Sequence, residues 1–199
     1  ENLLQWFVIF ELLLSLIGGS SAVLLYFAFS LTPYFYGVAF SLIAVLGTLI
    51  GLEIPILTRI VRQYETLRDA MAKVLSFDYL GALLASVAFP LVLLPTFGLM
   101  RTAFAIGLLN LLVAWLNTWL FAKLLRHPLR LHVVCALGAV LLTAGFIWSF
   151  SLSGFFEQFL YRDQIMLSRQ STYQQIVVTK WNEDVRLFLD GNIQFSSQD

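Results

Sequence analysis

From Leu3 onward apolar residues fill most positions, in long runs that only a few charges interrupt, and the interruptions divide the chain. A helix needs roughly 20 mostly apolar residues to cross about 30 Å of hydrocarbon, where it must satisfy its own backbone hydrogen bonds. Five stretches qualify: Leu3 to Leu31, Tyr34 to Leu57, Phe77 to Leu94, Leu99 to Phe121 and Leu131 to Phe150. Thr32 and Pro33 make a tight turn. Thr58 to Ser76 sets Arg59, Arg62, Arg68 and Lys73 against Glu65 and Asp69, and reads as an amphipathic surface helix. Phe89-Pro90 and Leu94-Pro95 kink or end the third stretch, Pro95 to Gly98 closes a short hairpin, and Lys123 to Arg130 forms a second basic connector.

After Ser151 the pattern changes. SGFFEQFLY is a short amphipathic piece, and beyond it the period falls toward two: Tyr173 to Trp181 is rich in β-branched and aromatic residues, and Val185, Leu187 and Leu189 alternate with Arg186 and Phe188. Asn182-Glu183-Asp184 and Asp190-Gly191-Asn192 supply turns, the second with residue types that tolerate positive φ, leading into Ile193 to Phe195. The fold expected is mainly α, a polytopic transmembrane helical bundle of about five spans over residues 1–150, followed by a small antiparallel β-hairpin segment over residues 151–199.

Charge sharpens this picture. Among 199 residues, 12% are charged and 59% hydrophobic, with 12 Lys+Arg balancing 12 Asp+Glu. A soluble domain carries about 25% charged residues, so the expected surroundings are a lipid bilayer. Nucleic acid is excluded as a partner, since no basic excess exists to neutralise phosphates. The one cysteine, Cys135, forms neither an internal disulfide nor a thiolate cluster. The first stretch is too long, and too poor in basic residues at its start, to be a signal peptide. A β unit of fewer than about 50 residues is marginal alone, so the helices, a second copy or further chain must cover it. With Glu1 in place of an initiator Met, a piece of a longer protein is the expectation.

Ionisable groups at membrane depth cost about 2.5–3.5 kcal/mol each on insertion scales, which makes them functional pointers. Glu11 lies within the first stretch, shortly before Gly18-Gly19; it is either a proton or cation site or a neutral acid hydrogen-bonded to a neighbouring helix. Glu53 precedes Pro55 in GLEIP, a break that could line a cavity, and Asp78 opens the third stretch. Pairing with Arg59 or helix capping is the plainer reading of both, and together with Glu11 they form the candidate intramembrane polar site. Asn110 and Asn117, seven apart on one face, read as interhelical hydrogen bonds. His127 and His132 have no acidic or thiol partners nearby in sequence, so no metal site is assigned.

The tail carries one longer pattern: Ser171-Thr172-Tyr173-Gln174, then a hydrophobic strand, then Leu187-Phe188-Leu189-Asp190-Gly191-Asn192-Ile193-Gln194, and finally Asp199. It resembles the start of the catalytic domain of polyamine aminopropyltransferases, the spermidine synthases. FELLLSLIGGSSAVLLYFAF from Phe10, GLEIPILTRI from Gly51 and LSFDYLGALLASVAFPLVLLPTFGL from Leu75 resemble that family's membrane-integral branch. The resemblance implies transfer of an aminopropyl group from decarboxylated S-adenosylmethionine, a co-substrate, to putrescine, with no bound cofactor. It implies that Gln174 contacts the donor and that Gln194 and Asp199 line the mouth of the polyamine site. The family's carboxylate base, glycine-rich loop and ribose-binding acid match no position here, so no catalytic residue is assigned and the chain alone is expected to be inactive. A prokaryotic plasma (inner) membrane location is expected with this resemblance, and the thin core of the β-hairpin segment makes a homo-oligomer formed through it the expectation for partners. The alternative is a non-enzymatic transporter or assembly subunit with a docking hairpin. Orientation conflicts with the enzyme: the positive-inside rule puts both basic connectors in the cytoplasm and the tail opposite, whereas the substrates are cytosolic.

Overall fold

The computed structural model describes residues 3–161, 163–171 and 173–198. Its helices are α1 (Leu3–Leu31), α2 (Phe35–Val61), α3 (Leu67–Ala88), α4 (Leu94–Leu120) and α5 (Pro128–Tyr161), and its strands are β1 (Gln164–Gln170), β2 (Gln175–Trp181), β3 (Asp184–Leu189) and β4 (Asn192–Ser196). The protein is mostly helical with a small antiparallel sheet. Among the described residues four helical runs are long and apolar enough to cross a membrane, the third covering Leu67–Leu120.

Prolines and one glycine shape that third run. Pro90 has no N–H to give, and over Phe89–Leu93 the ladder widens to a π-helical turn in which Leu94 N–H donates to Phe89 O. Gly98 then takes φ 72°, ψ 174°, outside the helical region. The Thr102 hydroxyl donates to Leu93 O at 3.1 Å, although nine residues of straight helix would separate them by about 13 Å. The chain therefore reverses at Gly98, as the Pro95–Gly98 hairpin anticipated.

Two connectors differ from expectation. Thr58 to Ser76 is not a separate surface helix: α2 continues through Pro55 to Val61, and α3 begins at Leu67. The start is set by Thr66, whose Oγ1 accepts from Asp69 N at 3.3 Å while donating to Asp69 Oδ2 at 2.7 Å. Glu65 pairs with Lys73 across the same turn. GLEIP is accordingly no break, and Asp78 lies well inside α3 instead of opening a helix. SGFFEQFLY is not a separate piece either, because α5 runs unbroken to Tyr161. Its Phe155, Phe156, Phe159 and Leu160 continue the apolar face, and Phe156 is buried against Ala22 and Met100.

The packed core joins α1, α4 and α5 through Val8, Leu12, Leu111, Ala114, Cys135 and Leu142. Small residues permit the approach: a Cβ on Gly107 would stand 2.6 Å from Gly19 Cα and 2.8 Å from Ser15 O. α2 and α3 each contribute only one buried residue, Leu49 and Ala70, and leave their apolar faces exposed.

The sheet is a meander in the order β1-β2-β3-β4. β1 is an addition to the expected strands. Its sequence, QIMLSRQ, alternates poorly, and pairing with β2 rather than its own pattern makes it a strand. Both short turns are as expected in kind: Asn182 has φ 54°, and Asp190 and Gly191 have φ 48° and 82°.

Candidate functional site

Three helices bring polar groups together inside the apolar part. Glu11 on α1 is only 2% exposed, and its carboxyl group meets that of Glu53 on α2 and the amide of Asn110 on α4. Asn110 Nδ2 also donates to the Glu11 backbone carbonyl at 3.1 Å, locking α4 to α1. Glu11 Oε2 finds no hydrogen-bond donor among the described residues. Glu53 and Asn110 line a cavity of about 450 Å³ whose other walls are nearly all apolar and include Gly18, Gly19 and Gly107.

At the far end of the helices the sheet docks on α5. Gln175 Nε2 donates to Glu157 Oε1 at 2.6 Å, Gln175 N donates to Asp190 Oδ1 at 2.8 Å, and the rings of Tyr161 and Phe188 stack edge to face at 4.9 Å. Two cavities flank this contact. One, about 270 Å³, lies among Tyr26, Tyr161, Gln175 and Asp190 and shares Ala22, Leu25 and Leu99 with the cavity of the carboxyl pair. The other, about 320 Å³ and more polar, lies among Arg101, Glu157, Arg169 and Gln175. There Arg101 Nε donates to Ser149 Oγ at 3.0 Å.

The sheet is braced from within. Asp184 Oδ1 accepts from Ser196 Oγ, Ser197 N and Ser197 Oγ at 2.8, 3.0 and 3.1 Å, while Arg186 Nε donates to Oδ2 at 2.6 Å. The Ser196 hydrogen bond, with those of Arg186 and Ser197, holds the Asp184 carboxyl down at about 2. Arg186 also reaches Asp163 Oδ2 at 3.2 Å.

Comparison with known proteins finds relatives along the whole chain. The chain is 41% identical over its whole length to the polyamine aminopropyltransferase of Leptospira interrogans. It is 44% identical over its whole length to polyamine aminopropyltransferase 2 of Ralstonia nicotianae, and 41% identical to the polyamine aminopropyltransferase of Oceanobacillus iheyensis. The chain is homologous to polyamine aminopropyltransferases. It spans about 40% of the length of these relatives. No family model matches it, and no solved structure does.

Beside that homology the expected residues fall as follows. Gln174 is exposed in the β1–β2 turn, where its backbone N–H donates to Ser171 Oγ at 3.0 Å and its carbonyl accepts from Ser171 N at 2.9 Å. Its neighbour Gln175, which the pattern did not single out, is the one that lines both cavities at the sheet. Gln194 is exposed and is the extra residue of a bulge, since Leu187 pairs with Phe195 and Phe188 with Ile193. Asp199 lies outside the described residues. Glu11 and Glu53 come together; Asp78 is exposed on α3, apart from their cavity. Asn110 makes the interhelical bond expected of it, whereas Asn117 Nδ2 donates to Val113 O within its own helix. Glu157, which bonds Gln175, is a site residue that no motif singles out; a lone acid in the apolar SGFFEQFLY is its only signal in the sequence.

Proposed function

We propose that the chain is the bilayer-anchored part of a polyamine aminopropyltransferase that makes spermidine from putrescine and decarboxylated S-adenosylmethionine. What supports this is identity of 41–44% to proteins bearing that name, extending across both the helices and the sheet. The same identity does not favour a non-enzymatic transporter or assembly subunit.

In the reaction, a neutral primary amine of putrescine attacks the methylene beside the donor's sulfonium. The new C–N bond forms as the C–S bond breaks, methylthioadenosine leaves, and the amine gives up a proton. This chain's part is to hold the exposed Gln174 amide at the β1–β2 turn for the donor, with Gln194 and Asp199 toward the polyamine. An amide suits the task, since it both donates and accepts. The helices form five spans, counting the reversal at Gly98 as a hairpin between two, in a prokaryotic inner membrane. They tether the catalytic part, and the sheet with its open edge strands pairs with a second copy.

The test is methylthioadenosine release by the full-length parent protein supplied with both substrates. Product is expected, and Gln174→Ala should raise the KM for the donor by about tenfold, the value of one hydrogen bond of about 1.4 kcal/mol. Folded full-length protein that releases no methylthioadenosine refutes the reading.

A further inference from the structure

The cavity between α1, α2 and α4 has a polar end that its own packing does not require. An apolar cavity would be cheaper to build with leucines, yet Glu53 and Asn110 line it, and the buried Glu11 carboxyl group lies against that of Glu53 behind this lining. Like charges in contact repel strongly in a low-dielectric interior, so a pair of this kind calls for a cation or a proton between the oxygens. Glu11 Oε2 is buried with no donor facing it among the described residues. Asn110 is anchored through its Nδ2 to the backbone of α1, which leaves Oδ1 as the acceptor of that amide.

The chemistry of the walls selects the cation. Calcium or magnesium takes six or more oxygen ligands or retained waters, and beyond Glu53 and Asn110 the lining adds only the hydroxyls of Ser21 and Thr102, both already donating to backbone carbonyls, among apolar walls such as Leu14, Leu25, Leu46, Ile50 and Ile106. A primary ammonium has three N–H donors and needs three acceptors, which Glu11, Glu53 and Asn110 supply. Its methylenes need an apolar channel, and the small residues Gly18, Gly19, Ala22 and Ala103 leave one of about 450 Å³.

We propose that Glu11, Glu53 and Asn110 bind the head group of a primary alkylammonium ion whose hydrocarbon chain lies in the α1–α2–α4 cavity. The site is separate from the sheet, and shares with the proposed function only an amine as ligand. The cavity adjoins the one beneath Gln175 and Asp190 through Ala22, Leu25 and Leu99, so an amine held there lies on a path toward the sheet.

Calorimetry on the full-length protein in lipid nanodiscs, with n-hexylammonium as the probe and empty nanodiscs as blank, tests this. One saturable site is expected, weakened at least about tenfold by Glu53→Gln and by Glu11→Gln, the loss of one charge-assisted hydrogen bond. Ala103→Phe should weaken it similarly by filling the cavity while leaving both carboxyl groups in place. n-Hexanol, which has the chain without the charge, should bind no tighter to wild type than to Glu53→Gln. The proposal is overturned if folded Glu53→Gln and Ala103→Phe bind hexylammonium as wild type does, if hexanol matches hexylammonium, or if sodium displaces the probe at equal concentration. Hexylammonium binding that persists without methylthioadenosine release would refute aminopropyl transfer and leave this site standing.

Discussion

Asp184 shows how much one side chain does in a sheet with little core. It is 4% exposed, takes two hydroxyls, a backbone N–H and a guanidinium, and so ties the end of β4 to the start of β3. Its carboxyl titrates at about 2 in the folded sheet, against about 3.9 in an unfolded chain. The ionised form is the one the fold prefers. The stabilisation is therefore complete above about pH 4 and is lost as pH falls toward 2. We expect the sheet of wild type to lose amide-exchange protection across that window, and Asp184→Asn to show weaker protection at neutral pH with a flatter acid profile. The turn order Asn-Glu-Asp was readable in the sequence; that the Asp would be a brace rather than a turn residue was not, because its donors Ser196 and Ser197 are twelve and thirteen residues away.

Between elements, glycines have opposite meanings according to what lies across from them. Gly107 faces the backbone of α1, where a Cβ would stand 2.6 Å from Gly19 Cα, and backbone has no rotamer by which to yield. Gly47 on α2 meets nothing within 4 Å. Gly107→Ala should accordingly cost about 1–3 kcal/mol through overpacking, whereas Gly47→Ala should be neutral or gain up to about 1 kcal/mol from helix propensity. Thermal unfolding in detergent checks both, and equal effects would refute the close α1–α4 crossing. The apolar stretches themselves were legible, since α1 and the stretch from Leu99 begin and end within a few residues of where composition placed them. The errors fell at Thr58–Ser76 and SGFFEQFLY, where a few charges hid the continuity of helices that capping by Thr66 and burial of Phe156 sustain.

For the molecule as a whole, the joint between helices and sheet is the feature on which the proposed function depends, since it places the β1–β2 turn relative to the helices. Tyr161 is 7% exposed and stacks on Phe188, and Gln175 bonds Glu157 beside it. Tyr161→Ala should cost about 3 kcal/mol of docking and speed tryptic cleavage at Arg169 and Lys180, while helix content stays as in wild type; unchanged cleavage would mean the joint is held elsewhere. Composition and periodicity were enough to establish apolar helices and a two-turn β segment, and the motifs at Ser171–Gln174 and Leu187–Gln194 carried the resemblance to polyamine aminopropyltransferases, because those properties are local and survive in any arrangement of the chain. The meeting of Glu11 with Glu53 and Asn110, the placement of Gln175 rather than Gln174 against the cavities, and the separation of Asp78 from the carboxyl pair belong to the packed structure alone. The Glu11 contacts join residues 42 and 99 positions apart in the sequence, and for α1 and α4 the faces that meet are those on which Gly19 and Gly107 let two backbones touch.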